Sequence, residues 1–159
     1  MHFALGYLYY RAGGLDDAIA PFQEETKINP DSAESCFYLG DIALKQQRIE
    51  EAVDYFRAAL KHNPSYAEAC LGLGQAYVKL GRMQESVELF RKAAQLMPDN
   101  AEFRYWLGRT LIKLGHAAEG QTILLQVQES YNRKRKVARE DLNRGMSPAV
   151  PSAKNIPPR

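Results

Sequence analysis

Two glycines at the spacing of a phosphate-binding loop are the first residues in the sequence that could take part in chemistry. Gly72 and Gly74 lie in LGLG (71–74), and a G-x-G pair before a helix can bring backbone N–H groups against phosphate oxygens. Such a loop also needs a preceding strand and a third glycine. Tyr77 stands where the third glycine would fall, and the preceding SYAEAC (65–70) does not alternate like a strand. The pair therefore predicts packing rather than nucleotide binding.

Cysteines and histidines are the other residues able to bind a metal or to act in nucleophilic catalysis. Cys36 and Cys70 are 34 residues apart, and we expect both to be small buried apolar residues. His2, His62 and His116 are not spaced as metal ligands. No Ser-His-Asp or Cys-His set can be assembled from the sequence. We therefore predict that the protein is not an enzyme and has no catalytic residue, metal site or cofactor.

The glycines belong to a pattern that recurs every 34 residues, so the elements that position them form a repeat. A Leu-Gly pair occurs four times, and a proline and a phenylalanine recur in step with it. These residues are Leu5-Gly6, Leu39-Gly40, Leu73-Gly74 and Leu107-Gly108; Pro30, Pro64 and Pro98; and Phe22, Phe56 and Phe90.

This pattern resembles the tetratricopeptide repeat family, whose 34-residue unit is a helix–turn–helix with Leu-Gly, aromatic and proline positions. The resemblance covers about residues 1–132, and the last repeat departs from it: Leu124 replaces the phenylalanine, Gly120 the alanine and Asn132 the proline. It implies an all-α fold, an α-α superhelix (solenoid) of about four helix pairs whose concave face is lined by first helices. The expected repeats are about 1–32, 33–66, 67–100 and 101–132.

A basic segment follows the repeats. Residues 131–159 hold eight Lys and Arg against two Asp and Glu, whereas residues 1–130 hold thirteen against seventeen. We predict a separate capping helix at about 131–143, which completes a repeat domain of residues 1–144. The tail, 145–159, contains four prolines and no amphipathic period, so we expect it to be disordered.

Helix ends can also be read from the sequence. We expect first helices to stop near Gln47, Gly81 and Gly115, because a left-handed residue commonly ends a helix. Residues after the prolines offer helix N-caps, with a glutamate three positions on completing a capping box. The predicted caps and their glutamates are Asp31 with Glu34, Ser65 with Glu68, and Asp99 with Glu102.

Positions five, nine, twelve and thirteen of each first helix predict a partner-binding groove on the concave face. Position five supplies an apolar floor, and position twelve is apolar or aromatic in all four repeats, with Tyr10, Leu44, Val78 and Ile112. Position thirteen is basic in all four, with Arg11 before the three lysines. These lysines are also explained by the helix macrodipole, because they lie near helix C-termini. The candidate site residues are Phe37, Asp41, Lys45, Leu71, Gln75, Lys79, Tyr105, Arg109 and Lys113.

Some well-known relatives hold a partner's C-terminal carboxylate with asparagines at position nine of the first two repeats. Tyr7 and Asp41 occupy those places here, so the resemblance does not extend to that clamp. Trp106, the sole tryptophan, is explained either by packing between repeats or as an anchor for a ligand side chain. Gly72 has Tyr38 and Trp106 as counterparts, which predicts a gap beside the groove floor that accepts a partner side chain.

The leading hypothesis is a protein–protein interaction module, a scaffold that binds a partner peptide or segment in its concave groove. One alternative is an adaptor that contacts nucleic acid or an anionic membrane through the basic run at 133–136, although that run lacks interleaved aromatics. Another is a regulatory domain of a larger enzyme. We regard nucleic acid and membrane as the less favoured partners.

The first ten residues are aromatic and apolar, without a polar capping helix or the basic start of a signal peptide. Either upstream repeats have been removed, or the first repeat is an interface for self-association. We expect a cytoplasmic protein, unless the chain is a fragment that lacks its N-terminal targeting signal.

Overall fold

Residues 1–145 are described by a computed structural model, in which they form eight α-helices and no strand. Consecutive helices pack as pairs, and the second helix of each pair packs against the first helix of the next. The predicted all-α solenoid is confirmed. The helices are α1 His2–Arg11, α2 Leu15–Ile28, α3 Ala33–Lys45, α4 Ile49–His62, α5 Ala67–Lys79, α6 Met83–Leu96, α7 Ala101–Lys113 and α8 Ala117–Gly145.

Each first helix ends through a residue in the left-handed conformation. Gly13, Gly81 and Gly115 have φ of 84°, 76° and 89°, and Gln47 takes the same role at 62°. The expected ends near the last three of these residues are confirmed. Gln47 carries a Cβ, which makes the left-handed conformation less favourable by about 1–2 kcal/mol than it is for glycine.

The predicted N-caps are wrong by one residue. The side chains of Ser32 and Asn100 accept hydrogen bonds from helix N–H groups, while Tyr66 occupies the third cap without a side-chain bond. The N–H of each cap residue bonds to the carbonyl oxygen three residues earlier, as in Ser32 to Asn29 at 3.1 Å. Each proline and the residue after it therefore form the centre of a β-turn, and the helix begins one position later than the sequence pattern suggests.

Phenylalanines of the second helices lie directly over the Leu-Gly glycines. Phe22, Phe56 and Phe90 are fully buried. A Cβ built on the glycine of the same repeat would lie 2.9, 2.9 and 2.4 Å from the respective ring. Any side chain at these glycines would displace the ring, so the Leu-Gly position sets how closely the two helices of a pair approach.

Gly72 does not leave a gap for a ligand, so that expectation is wrong. The Phe56 ring of the preceding pair fills the space, and a Cβ added at Gly72 would lie 2.4 Å from its Cζ. The counterparts of Gly72 carry rings that pack against the preceding phenylalanine instead. Tyr38 stacks on Phe22 at 5.1 Å between ring centroids, and Trp106 lies 6.0 Å from Phe90.

The predicted boundary between a fourth second helix and a separate capping helix at about 131–143 is absent. A single helix, α8, continues for 29 residues. The proline that follows the other second helices is replaced by Asn132, and residues 121–144 contain neither glycine nor proline, so nothing interrupts the hydrogen-bond ladder. The predicted disordered tail, 145–159, starts at the last described residue and otherwise lies outside the described part of the chain.

Both cysteine thiols are free and buried. Burial raises the pKa of each thiol, which favours the protonated, unreactive form. This environment agrees with the expectation that Cys36 and Cys70 are small buried apolar residues. No helix within residues 1–145 is long and apolar enough to cross a lipid bilayer.

Gly72→Ala tests the close contact with Phe56. Alanine favours a helix interior, but its Cβ must displace a fully buried ring, so we expect the free energy of unfolding to fall by about 1–2 kcal/mol. Urea denaturation measures the change. We expect the double variant Gly72→Ala with Phe56→Leu to lose less free energy of unfolding than the sum of the losses of the two single variants. A loss equal to that sum would show that the two residues do not restrict each other's packing.

Candidate functional site

A cavity of about 400 Å³ opens on the face formed by the first helices α3, α5 and α7. Its wall combines an apolar part with charged residues from the ends of these helices. Because the helices belong to successive repeats, side chains at the same repeat position recur along it. The lining residues are Asp41, Leu44, Lys45, Gln75, Val78, Lys79, Trp106, Arg109, Thr110 and Lys113.

Six of the nine predicted site residues line this cavity. They are the residues at positions nine and thirteen of repeats two, three and four: Asp41, Lys45, Gln75, Lys79, Arg109 and Lys113.

The three predicted floor residues lie elsewhere. Leu71 is buried in the core between α5, α6 and α7. Phe37 packs against Tyr66, with ring centroids 5.0 Å apart, and Tyr105 is exposed beside Trp106. At the fifth position, Leu71 and Phe37 therefore pack against neighbouring side chains and Tyr105 is exposed, and none of the three lines the cavity.

The floor comes from other positions of the first helices. Leu44 and Val78 share position twelve, and Trp106 and Thr110 complete the wall on α7. Position twelve was among the predicted groove positions, whereas Thr110 had no signal in the sequence. Trp106 is half-buried, packs against Phe90 of the preceding repeat and also lines the cavity. Its role as an anchor for a ligand side chain stays a prediction.

Lys45, at the α3 end of the cavity, is paired within the protein. Its Nζ lies 2.6 Å from Asp41 Oδ2 and donates to Tyr10 Oη at 2.5 Å, while the Tyr10 hydroxyl donates to Asp41. Burial opposes the charge on Lys45, but the hydrogen bonds with Asp41 and Tyr10 outweigh it and raise the pKa of the ammonium. Burial and the Asp41 contact also raise the pKa of the Tyr10 hydroxyl. This end is therefore close to charge-neutral.

Cations at the other end have no acidic partner within residues 1–145. Lys79 Nζ donates to the side-chain oxygen of Gln47 at 3.1 Å, which is a bond to a neutral group. Arg109 donates to Tyr105 Oη at 3.0 Å and lies 5.5 Å from the centre of that ring. Lys113 forms no ion pair or side-chain hydrogen bond with the described residues, and its side chain is exposed.

The groove is therefore polarised along the solenoid. A neutral cluster around Asp41 occupies one end, and three cations without acidic partners surround the apolar wall near Trp106 at the other. Carboxylate groups are attracted to the second end, and an adjacent apolar side chain can pack on its floor. No group of three His, Cys, Asp or Glu residues in the described chain is arranged to hold a metal ion.

Comparison with solved structures shows the fold. A crystal structure of MamA matches with a TM-score of 0.78 and 24% identity, over 85% of this chain and 79% of that chain. YrrB, described as a TPR protein with an unusual peptide-binding site, matches at 0.74 and 21%, over 81% and 66%. A thermophilic TPR protein of Thermus thermophilus matches at 0.69 and 22%, over 82% and 73%.

Comparison at the sequence level identifies the repeat. No curated protein matches the chain. Two models of the tetratricopeptide repeat match residues 37–100 and 83–139, which together extend over 37–139 of the 159 residues. The chain belongs to the tetratricopeptide repeat family.

Proposed function

We propose that the protein is a non-catalytic interaction module whose concave groove binds an acidic segment of a partner protein. The observation that carries the proposal is the placement of Lys79, Arg109 and Lys113 around an apolar wall, without acidic partners in the described chain. A partner segment with carboxylates beside an apolar side chain matches this surface in charge and polarity. YrrB, a structural relative described as having a peptide-binding site, supports this kind of role.

Stacked helices favour binding because they hold the groove in one arrangement before the partner arrives. The lining side chains come from three helices whose opposite faces are packed into the core. The protein therefore loses little conformational freedom on binding, and most of the ordering cost falls on the partner segment. We propose that residues 1–144 form this interaction domain.

Reversing two groove charges should weaken binding strongly. We expect Lys79→Glu combined with Lys113→Glu to weaken binding of an acidic peptide by roughly tenfold per position, since each change replaces an attraction with a repulsion. The probe is a set of synthetic peptides, each about 12 residues long, in which glutamates flank a leucine, with glutamine in place of glutamate as the uncharged reference. Fluorescence anisotropy measures their affinity.

Two lysines outside the groove give the matched control. Lys61 on α4 and Lys92 on α6 lie outside the cavity lining, and Lys61→Glu with Lys92→Glu changes the net charge by the same amount. Equal loss of affinity in both double variants would mean that net charge, not the groove, attracts the peptide. Truncation after Ser130 removes the basic part of α8, and loss of peptide binding in this variant would mean that the basic helix, not the groove, attracts the peptide.

Asp41→Asn should strengthen binding of the same peptides. Asp41 is the acidic residue among the lining residues of the cavity, and it neutralises Lys45. Removing its charge leaves Lys45 available to a ligand and removes a repulsion, so we expect affinity to rise by roughly two- to fivefold at low salt. The gain should shrink as salt is added. An unchanged or lower affinity would show that the bound segment does not reach the α3 end.

A further inference from the structure

The interface that joins successive repeats has two complementary halves. Between α4 and α5, for example, Phe56 and Ala59 of the second helix pack against Leu73, Ala76 and Tyr77 of the following first helix. Arg57 extends this contact, since its Nη2 donates to Tyr77 Oη at 2.8 Å. Every first helix after α1 covers such a surface, and every second helix before α8 offers one.

The outer face of α1 carries one half of this interface without a partner in the described chain. At the repeat positions of Leu73, Ala76 and Tyr77, the residues of α1 are apolar or aromatic, yet they are largely exposed. Leu5, Leu8 and Tyr9 are 43%, 64% and 38% exposed, whereas their equivalents Leu73, Ala76 and Tyr77 are 5%, 0% and 6% exposed.

The outer face of α8 carries the other half. Leu124 stands at the repeat position of Phe56, and Leu125 at that of Arg57. Leu125 is 65% exposed, although the other second helices have the polar residues Gln23, Arg57 and Arg91 at this position. Both leucines, with Gln121 and Gln128, line a shallow hollow on the surface of the helix.

We infer that copies of this chain associate head to tail, with the outer face of α8 on one copy covering the outer face of α1 on the next. The repeat register places Leu125 against Tyr9 of the second copy, as Arg57 lies against Tyr77 within one chain. An aliphatic side chain replaces the guanidinium, so this contact is apolar. The surface is separate from the concave groove, which stays open to a ligand.

The same register argues against two α1 faces meeting each other. A contact between identical faces closes as a dimer and leaves Leu125 uncovered. A head-to-tail contact is heterologous and covers both exposed leucine positions at once, and each added copy presents a new free end. The two arrangements therefore differ in the species that they produce.

Sedimentation velocity on the full chain tests the association. We expect the mean mass of the wild type to rise steadily with concentration above the 18.0 kDa of one chain, with no fixed final size. Leu8→Glu and Leu125→Glu should each abolish the rise, because each places a charge in an apolar contact. Both residues are exposed, so the variants should keep the helical circular dichroism of the wild type.

A mixture of the two variants tests the head-to-tail arrangement itself. The Leu8→Glu chain keeps an intact α8 face, and the Leu125→Glu chain keeps an intact α1 face, so the mixture should form a one-to-one dimer and nothing larger. Ile28→Glu and Leu142→Glu are the matched controls, since these residues are 67% and 63% exposed and lie outside both faces. Each control should associate as the wild type does.

Three results would overturn the inference. The first is a wild type that stays at the mass of one chain up to concentrations on the order of 1 mM. The second is association of the Leu125→Glu variant at wild-type strength, which would mean that α1 faces pair with each other. The third is a mixture of the two variants that contains no dimer. The groove variant Lys79→Glu with Lys113→Glu should associate normally, so failure of the proposed groove function would not affect this test.

Discussion

The contact between a glycine on each first helix and a large side chain on the paired second helix determines the geometry on which the rest of the structure depends. The ring of Phe56 fits between Gly40 of its own repeat and Gly72 of the next, closer than any Cβ would allow. The contact with the Leu-Gly glycine recurs every 34 residues, which keeps the first helices in one layer with one rotation. That rotation turns positions nine, twelve and thirteen towards the concave face.

The groove lysines share one repeat position, but they differ in their hydrogen-bond and ion-pair partners. Lys45 is held by Asp41 and Tyr10, whereas Lys79 bonds only to the neutral side chain of Gln47 and Lys113 is unpaired within the described chain. The difference arises at position nine, where one repeat has an aspartate and a later one has Arg109. A single position thus converts a uniform row of cations into a groove with a neutral end and a positive end.

Sequence periodicity predicts the helices within each repeat and where they end. It does not predict the contacts that depend on how neighbouring helices pack. The helix pairs and their left-handed ends follow from recurring residues, including Gln47 in place of glycine. The fate of Gly72 depends on a ring from another repeat, and the fifth-position Leu71 is covered by α6 and α7. Neither contact can be read from spacing, because each depends on how side chains of neighbouring helices pack.

The groove and the contact between copies are connected, because the proposed contact continues the stacking of repeats beyond one chain. If α1 of one copy covers α8 of another, the first helices of both copies continue in one layer, and Arg11 of the second copy follows Lys113 of the first at repeat position thirteen. The row of basic side chains then extends across the junction. A partner with several acidic segments would bind successive grooves, and its apparent affinity would rise because the sites are linked. A partner with one segment would have the affinity of a single groove. Head-to-tail association would thus select partners by the number of their acidic segments, and the lining of each groove would select them by sequence.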